Sequence, residues 1–153
     1  MTWFRRNLTQ ILVESPSREN VEPAGDGEEI IEADSRDEAM PEAQRIAEQR
    51  AATLATLATT HATEQATGVT VGEIVIPYAA TDRRNYHELK EVCRDAIAIG
   101  APETPVAFWD ASGVKHAMRA DAALPVLVTY TLTAAGEVLR QNQEIADAME
   151  GGQ

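Results

Sequence analysis

The feature that most constrains this chain is an acidic stretch, residues 14–38, with few apolar side chains. It contains ten acidic residues, two arginines, two prolines and two glycines, and its main apolar residues are Val21, Ile30 and Ile31. By itself such a stretch cannot bury enough surface to offset the entropy lost when a chain becomes ordered. We therefore predict that residues 1–38 form an extended anchoring arm or linker.

The remaining chain has little apolar bulk for a core. Aromatic residues make up 5% of the 153 residues, and alanine supplies much of the 44% hydrophobic fraction. Folded domains are stable by only about 5–15 kcal/mol, so a thin core leaves a small margin. We expect the chain to depend on partners or on further copies of itself.

The charge balance excludes several classes of partner. Twenty-five acidic residues against thirteen basic ones give a net charge of −12, which repels nucleic acid and anionic membranes. The apolar run near the N-terminus is too short for a signal sequence, and we expect no membrane insertion. The single cysteine, Cys93, excludes an intrachain disulfide.

Apolar residues near the N-terminus predict a docking segment. Large apolar side chains lose roughly 25 cal/mol per Å² when exposed to water, so they dock on their own domain or on a neighbour. The same argument extends to apolar residues in the acidic stretch and in the helix that follows it. The residues predicted to contact a partner are Trp3, Phe4, Leu8, Ile11, Leu12, Ile30, Ile31, Leu54 and Leu57.

Residues 39–68 are typical of an alanine-rich helix closed by Gly68. Asp37 is the predicted N-cap, and Pro41 suits the first turn. The face that carries Leu54, Leu57 and His61 is narrow, so it would allow another helix to approach closely. Because threonines weaken helix propensity here, packing must supply part of the stability.

Residues 69–150 predict a small α+β domain. Residues 69–78 are strand-like around Gly72, and a helix over 82–99 should begin at Thr81 or Asp82 and end at Gly100. Residues 105–118 then predict a hairpin. The expected buried face of the helix comprises Tyr86, Leu89, Cys93, Ala96 and Ile97.

Residues 126–132 favour a strand by propensity, but residues 121–149 as a whole favour a helix by periodicity. We predict one long helix, capped by Asp121 with Pro125 in its first turn. The fold class is therefore α+β and mostly helical: a long N-terminal helix, short strands with a hairpin, a middle helix and a long C-terminal helix, preceded by the acidic arm. The apolar face predicted for the last helix comprises Leu124, Val128, Thr131, Leu132, Ala135, Val138, Leu139, Ile145 and Met149.

In order, these elements resemble an uncharacterised domain family found at the C-termini of bacteriophage tail-fibre, baseplate and tail-assembly proteins. The resemblance rests on a Gly-containing strand turn over 69–76, a helix that follows Thr81-Asp82, and the hairpin segment 108–118 before a long helix. It covers about 69–149. The family provides no catalytic residues to transfer, and the resemblance implies a structural or adaptor role in the virion.

The chemistry-bearing residues favour no enzyme. His61, His87 and His116 form no zinc-ligand pair, and Cys93 lies on an apolar helix face as a structural thiol would. His116 and Asp110 predict a polar pair beside the hairpin turn. We place Trp109 in the core, with exposure at an interface as the alternative. No cofactor, metal site or catalytic residue is predicted.

The expected function is that of a structural protein of a phage tail, located in the virion. Its expected partners are other phage tail proteins and copies of itself, as a trimer or hexamer by analogy with tails. The alternative is a tail-fibre assembly chaperone that is absent from the particle. A small hydrolase that uses His116 or Cys93, and a host-side regulator that binds a protein partner, are further hypotheses.

Overall fold

The computed structural model describes residues 2–6, 12–15 and 30–150, which belong to two compact units. The N-terminal unit runs to Thr53 and the C-terminal unit begins at Leu54. The boundary falls inside helix α2, Glu42–Thr67, so this helix contributes residues to both units.

The N-terminal unit contains a three-stranded antiparallel sheet. Strand β1 (Thr2–Arg6) lies between β2 (Leu12–Ser15) and β3 (Ile30–Ala33). Phe4 on the central strand is 1% exposed. Ala33 and Met40 are also buried in this unit, which gives it a small apolar centre.

This sheet differs from the extended arm predicted for residues 1–38. Residues 2–6 pair with residues 12–15 on one side and with residues 30–33 on the other, so the central strand has backbone partners on both sides. The acidic stretch is poor in apolar residues, but β1 brings Phe4 to it from outside. Composition within residues 14–38 did not reveal this long-range pairing.

The structure has two helices, α1 (Arg36–Ala39) and α2, where the sequence predicts one. Ser35, rather than the predicted Asp37, is the N-cap of α1, accepting a hydrogen bond from the Glu38 N–H. Pro41 disfavours a helical conformation in the residue before it, and Met40 is extended with ψ 135°. Gly68 ends α2 as predicted, with φ +95°.

The C-terminal unit alternates hairpins and helices. Strands β4 (Val69–Val71) and β5 (Ile74–Ile76) form one hairpin, and α3 (Ala80–Ala98) follows. Strands β6 (Pro105–Trp109) and β7 (Lys115–Arg119) form the predicted second hairpin, and α4 covers Ala120–Glu150. The fold is α+β, mostly helical, with a long C-terminal helix, as predicted.

Neither α3 nor α4 begins at its predicted cap. The N-cap of α3 is Ala79, which makes no side-chain cap, while α4 begins at Ala120 and not after Asp121. The N–H of Ala120 donates to the Thr104 carbonyl in the preceding loop, which satisfies one free group of the helix end. Pro125 consequently lies inside α4 rather than in its first turn.

The core of the C-terminal unit lies among α3, α4 and the two hairpins. Tyr86, Cys93 and Ala96 of α3 face it as predicted, but Ile97 is 36% exposed at the edge of that face. From α4, the core residues recur at alternating spacings of three and four. They are Ala120, Ala123, Leu127, Tyr130 and Ala134.

Helix α4 therefore has the predicted period but buries a different face. The residues predicted to face the core are half-buried or exposed, and Leu132 and Leu139 are each 70% exposed. Three of the five core positions on α4 are alanines, and the other two are Leu127 and Tyr130. Leu132 and Leu139 lie outside the core.

Helix α4 is also long and apolar enough, by length and composition, to cross a membrane. An eighteen-residue window reaches a mean hydropathy of 1.5, contrary to the expectation that no segment would qualify. In the structure 22% of this window is buried, and α4 packs Leu127 and Tyr130 into the core of its unit. Helix α4 is apolar overall because it carries apolar residues on both its buried face and its outer face.

Candidate functional site

The β6–β7 hairpin presents Trp109 outward, which corrects the prediction that it lies in the core. Side chains alternate along a strand, and here Phe108 is 2% exposed while Trp109 is 55% exposed. The Phe108 ring meets the Tyr86 ring edge-on at 5.9 Å. The hydroxyl of Tyr86 donates to the Trp109 carbonyl, and the Lys115 ammonium lies 5.6 Å from the centre of the Trp109 ring.

Asp110 and His116 form the predicted pair at the hairpin turn. His116 Nε2 lies 2.9 Å from Asp110 Oδ2, and the other carboxylate oxygen accepts the N–H groups of Ser112 and Val114. The hydrogen bond with His116 is the main cause that lowers the pKa of Asp110, and the backbone N–H of Val114 adds to it. Both carboxylate oxygens are therefore engaged in holding the turn.

Replacing Asp110 with alanine should lower the urea midpoint of unfolding at about pH 7. The pKa of Asp110 is depressed in the folded chain, so its stabilisation is complete above the unfolded pKa and is lost as pH falls through the folded value. The difference in urea midpoint between wild type and Asp110→Ala should accordingly become smaller below pH 3.8. Urea titrations across this range check the result.

The control for this substitution is Asp121→Ala. Asp121 pairs with Arg119 at 2.8 Å, but both side chains are exposed, and exposed ion pairs contribute little. Two results would contradict the assignment of Asp110 to the turn. One is a loss of stability in Asp121→Ala as large as that in Asp110→Ala. The other is a difference in urea midpoint between wild type and Asp110→Ala that grows on acidification.

The other titratable candidates make separate structural contacts. His61 is buried and lies 2.8 Å from Glu144, and His87 Nδ1 lies 3.1 Å from the Lys90 ammonium. Cys93 is 0% exposed, and burial raises the pKa of its thiol. Within residues 2–6, 12–15 and 30–150, no three His, Cys, Asp or Glu side chains are placed to hold a metal ion.

A cluster around Arg140 joins α2 to α4 through polar groups. The Arg140 guanidinium contacts Glu64 at 2.6 Å, Glu137 at 2.9 Å and Glu144 at 2.5 Å. Gln141 beside it is buried, donates to the Tyr78 hydroxyl and to Glu64, and accepts from Gln65.

These contacts shift the pKa values of the charged groups in the cluster. Hydrogen bonds from Gln141 and Arg140 lower the pKa of Glu64, while His61 and then Arg140 lower that of Glu144. The three carboxylates in turn raise the pKa of Arg140. A cavity of about 400 Å³ lies alongside, but the ionic groups that line it are paired with one another. The arrangement connects helices α2 and α4 through paired charges.

The structure brings only some of the predicted partner-contact residues to a surface. Phe4 is buried inside the N-terminal unit, so its side chain is not free for a partner. Leu8, Ile11 and the side chains of Trp3 and Leu12 lie outside the described residues. The remaining four are half-buried: Ile30, Ile31, Leu54 and Leu57.

The most apolar open surface in the described chain lies on α4. We call the α4 outer face the stripe of residues at alternating spacings of three and four that ends at Met149, which is 59% exposed. Its exposure could not be read from the sequence, because apolar residues also occupy the opposite face. The stripe comprises Val128, Leu132, Ala135, Leu139, Asn142, Ala146 and Met149.

A groove of about 580 Å³ runs between the stripe and α3. We call it the α3–α4 groove. Arg83, Arg84 and His87 line it from α3, and its floor on α4 is almost entirely apolar. The floor residues are Tyr130, Thr131, Ala134, Ala135, Val138 and Leu139.

Comparison with protein-family models, with curated proteins and with solved structures finds no match to this chain, so the assignment of function rests on the residues and their geometry.

Proposed function

We propose that this chain is a non-catalytic structural component of a bacteriophage tail, in a fibre, a baseplate or an adaptor, that links virion proteins. The observation that carries the proposal is the α4 outer face, where Leu132 and Leu139 are each 70% exposed. Large side chains exposed along one stripe are typical of a protein-binding surface. The order of elements over 69–149, which resembles the tail-protein family, supplies the class of assembly.

The paired state of the polar groups supports binding rather than catalysis. Asp110 and His116 are engaged in a turn, the Arg140 cluster braces two helices, and Cys93 is buried with a raised thiol pKa. A catalytic group needs a free lone pair or proton directed at a substrate. Each of these groups is already committed to a contact within the chain.

Helix α2 supports the expectation that several copies associate. Among its described residues only His61 is buried, and long parts of its surface are alanine and threonine. Isolated helices are marginal in water, so packing of α2 against further copies would supply the missing stability. Trimeric or hexameric association would follow the symmetry of tails in general.

Mass spectrometry of purified particles tests the proposal in the phage that encodes the chain. We expect the chain at a fixed ratio to an established tail protein, unchanged by further rounds of purification. An abundant host cytosolic protein is the contamination control. A chain that is abundant in the infected cell but absent from particles would reject the structural role.

A tail-fibre assembly chaperone is the second candidate, and the α4 outer face is also compatible with it. A chaperone would bind fibre protein during assembly and leave before the particle is complete. The same measurement separates the two roles, because only the chaperone would be found in the lysate bound to fibre protein and missing from the virion.

A further inference from the structure

The rim of the α3–α4 groove is basic, although the chain as a whole is strongly acidic. Arg83 and Arg84 are adjacent, and His87 lies one helical turn further along α3. Within residues 30–150, Arg94, Arg119 and Arg140 form ion pairs with carboxylates, but Arg83 and Arg84 form none with any described residue. The groove therefore presents two arginines that form no ion pair with any described residue, beside an apolar floor.

The α4 outer face has the residue spacing of a helix-packing surface. The stripe from Val128 to Met149 follows alternating spacings of three and four, the pattern by which one helix receives side chains of another. At 1.5 Å per residue it is about 32 Å long, which suits an occupying helix of about twenty residues. Ala135 beside Gly136 leaves room for close approach.

We propose that the α3–α4 groove and the α4 outer face bind an acidic amphipathic α-helix of another protein. Its apolar side would lie on Leu132 and Leu139, and its carboxylates would reach Arg83 and Arg84. Helix-in-groove binding obtains its energy from such apolar anchors, and complementary charge at the rim sets orientation and selects the partner.

Charge decides against the other occupants of such a surface. A second copy of this chain would present the same basic rim, and its α4 carboxylates Glu137 and Glu144 are already held by Arg140. An anionic membrane would be repelled by the net charge of −12. An acidic helix gains from the local basic rim, and its small size limits the repulsion from the rest of the chain.

This inference rests on the proposed function. It adds to that function the class of partner that one surface of the chain binds. Its test needs only the purified full-length chain and synthetic peptides. Absence of the chain from phage particles would therefore leave the peptide result intact, and failure of the peptide to bind would leave particle incorporation intact.

The experiment compares two labelled peptides of about eighteen residues by fluorescence anisotropy. Both carry leucines on one helical face. One has glutamates flanking that face, and the other has lysines at the same positions. The full-length chain should bind the glutamate peptide at least about tenfold more tightly than the lysine peptide.

Substitutions in the groove should change this binding in two separable ways. The double variant Arg83→Glu, Arg84→Glu should reverse the preference between the peptides, because the rim changes sign. Leu139→Glu should weaken the glutamate peptide at least about tenfold, because it removes an apolar anchor and adds a like charge to the groove. Leu132→Glu repeats that test on the same stripe, and circular dichroism verifies that each variant is folded.

Matched controls lie elsewhere on the same unit. Arg94→Glu reverses the charge of one arginine of α3 that is outside the groove, half the charge change of the double variant, and Ile99→Glu adds a charge at a residue that is 82% exposed. Neither should alter the affinity for the glutamate peptide by more than about twofold.

Several results would overturn the proposal. These are equal affinity for the two peptides, tighter binding of the lysine peptide, or groove variants that behave like their controls. Light scattering that shows a mass of twice 16.6 kDa, reduced to 16.6 kDa by Leu139→Glu, would assign the surface to a second copy. Leu139-dependent binding to anionic phospholipid vesicles without binding to the peptide would assign it to a membrane.

Discussion

Leu127→Ala should lower the free energy of unfolding by about 2–5 kcal/mol, the usual cost of truncating a fully buried leucine. Leu127 is 0% exposed and lies near the middle of the core-facing side of α4, in the cluster that also contains Tyr86 and Tyr130. The loss combines the transfer energy of the deleted methyl and methylene groups with the cost of the cavity they leave. In a unit with a thin core, that is a large share of the whole stability.

The matched control is Leu132→Ala on the same helix. It deletes the same atoms, but Leu132 is 70% exposed, so its effect should stay within about 0.5 kcal/mol. Urea unfolding followed by circular dichroism measures both variants, with an unchanged slope as the sign that only stability has changed. If the two variants were equally destabilised, or if Leu132→Ala were the worse, the assigned face of α4 would be wrong.

Gly68→Ala should destabilise the chain by at least about 1–3 kcal/mol, the range for a non-glycine residue held in an unfavourable backbone conformation. Gly68 has φ +95°, and a Cβ there would lie 2.6 Å from the Ile76 carbonyl oxygen and 2.8 Å from its carbon. Those atoms belong to backbone where β5 passes the end of α2, so they cannot move aside as a flexible side chain would.

Gly72→Ala is the control that separates backbone strain from the clash. Gly72 also has positive φ, +64°, but a Cβ there would meet nothing within 4 Å. Its loss of stability should therefore be the smaller of the two, by about 1 kcal/mol or more. Comparable urea midpoints for the two variants would show that the close approach of β5 to Gly68 does not constrain the fold.

Much of the local structure could be predicted from the sequence. Gly68 marked the end of α2, the segment Asp110–Gly113 marked a hairpin turn, and the 3.6-residue period showed that residues 121–149 are helical despite the β-branched run at its start. The pairing of Asp110 with His116 could also be inferred, since hairpin register places the two residues near each other.

The α3–α4 groove could not be predicted from the sequence. Its basic rim comes from Arg83 and Arg84 on α3 and its apolar floor from α4, so it exists only once the two helices are packed. The adjacent arginines were visible, but the residues opposite them were not. The exposure of Trp109 similarly depended on which side of the hairpin α3 covers.

By itself the sequence determined the types of the elements from α2 onward and the glycine-terminated ends of α2 and α3, because helix period, glycine conformation and turn hydrogen bonds act over a few residues. The tertiary structure alone decided that strands before residue 34 pair into a sheet, and which face of α4 is buried. Apolar residues surround much of α4, so local pattern leaves two faces open. Contact with α3 and the hairpins selects the face lined with alanines and leaves Leu132 and Leu139 outside.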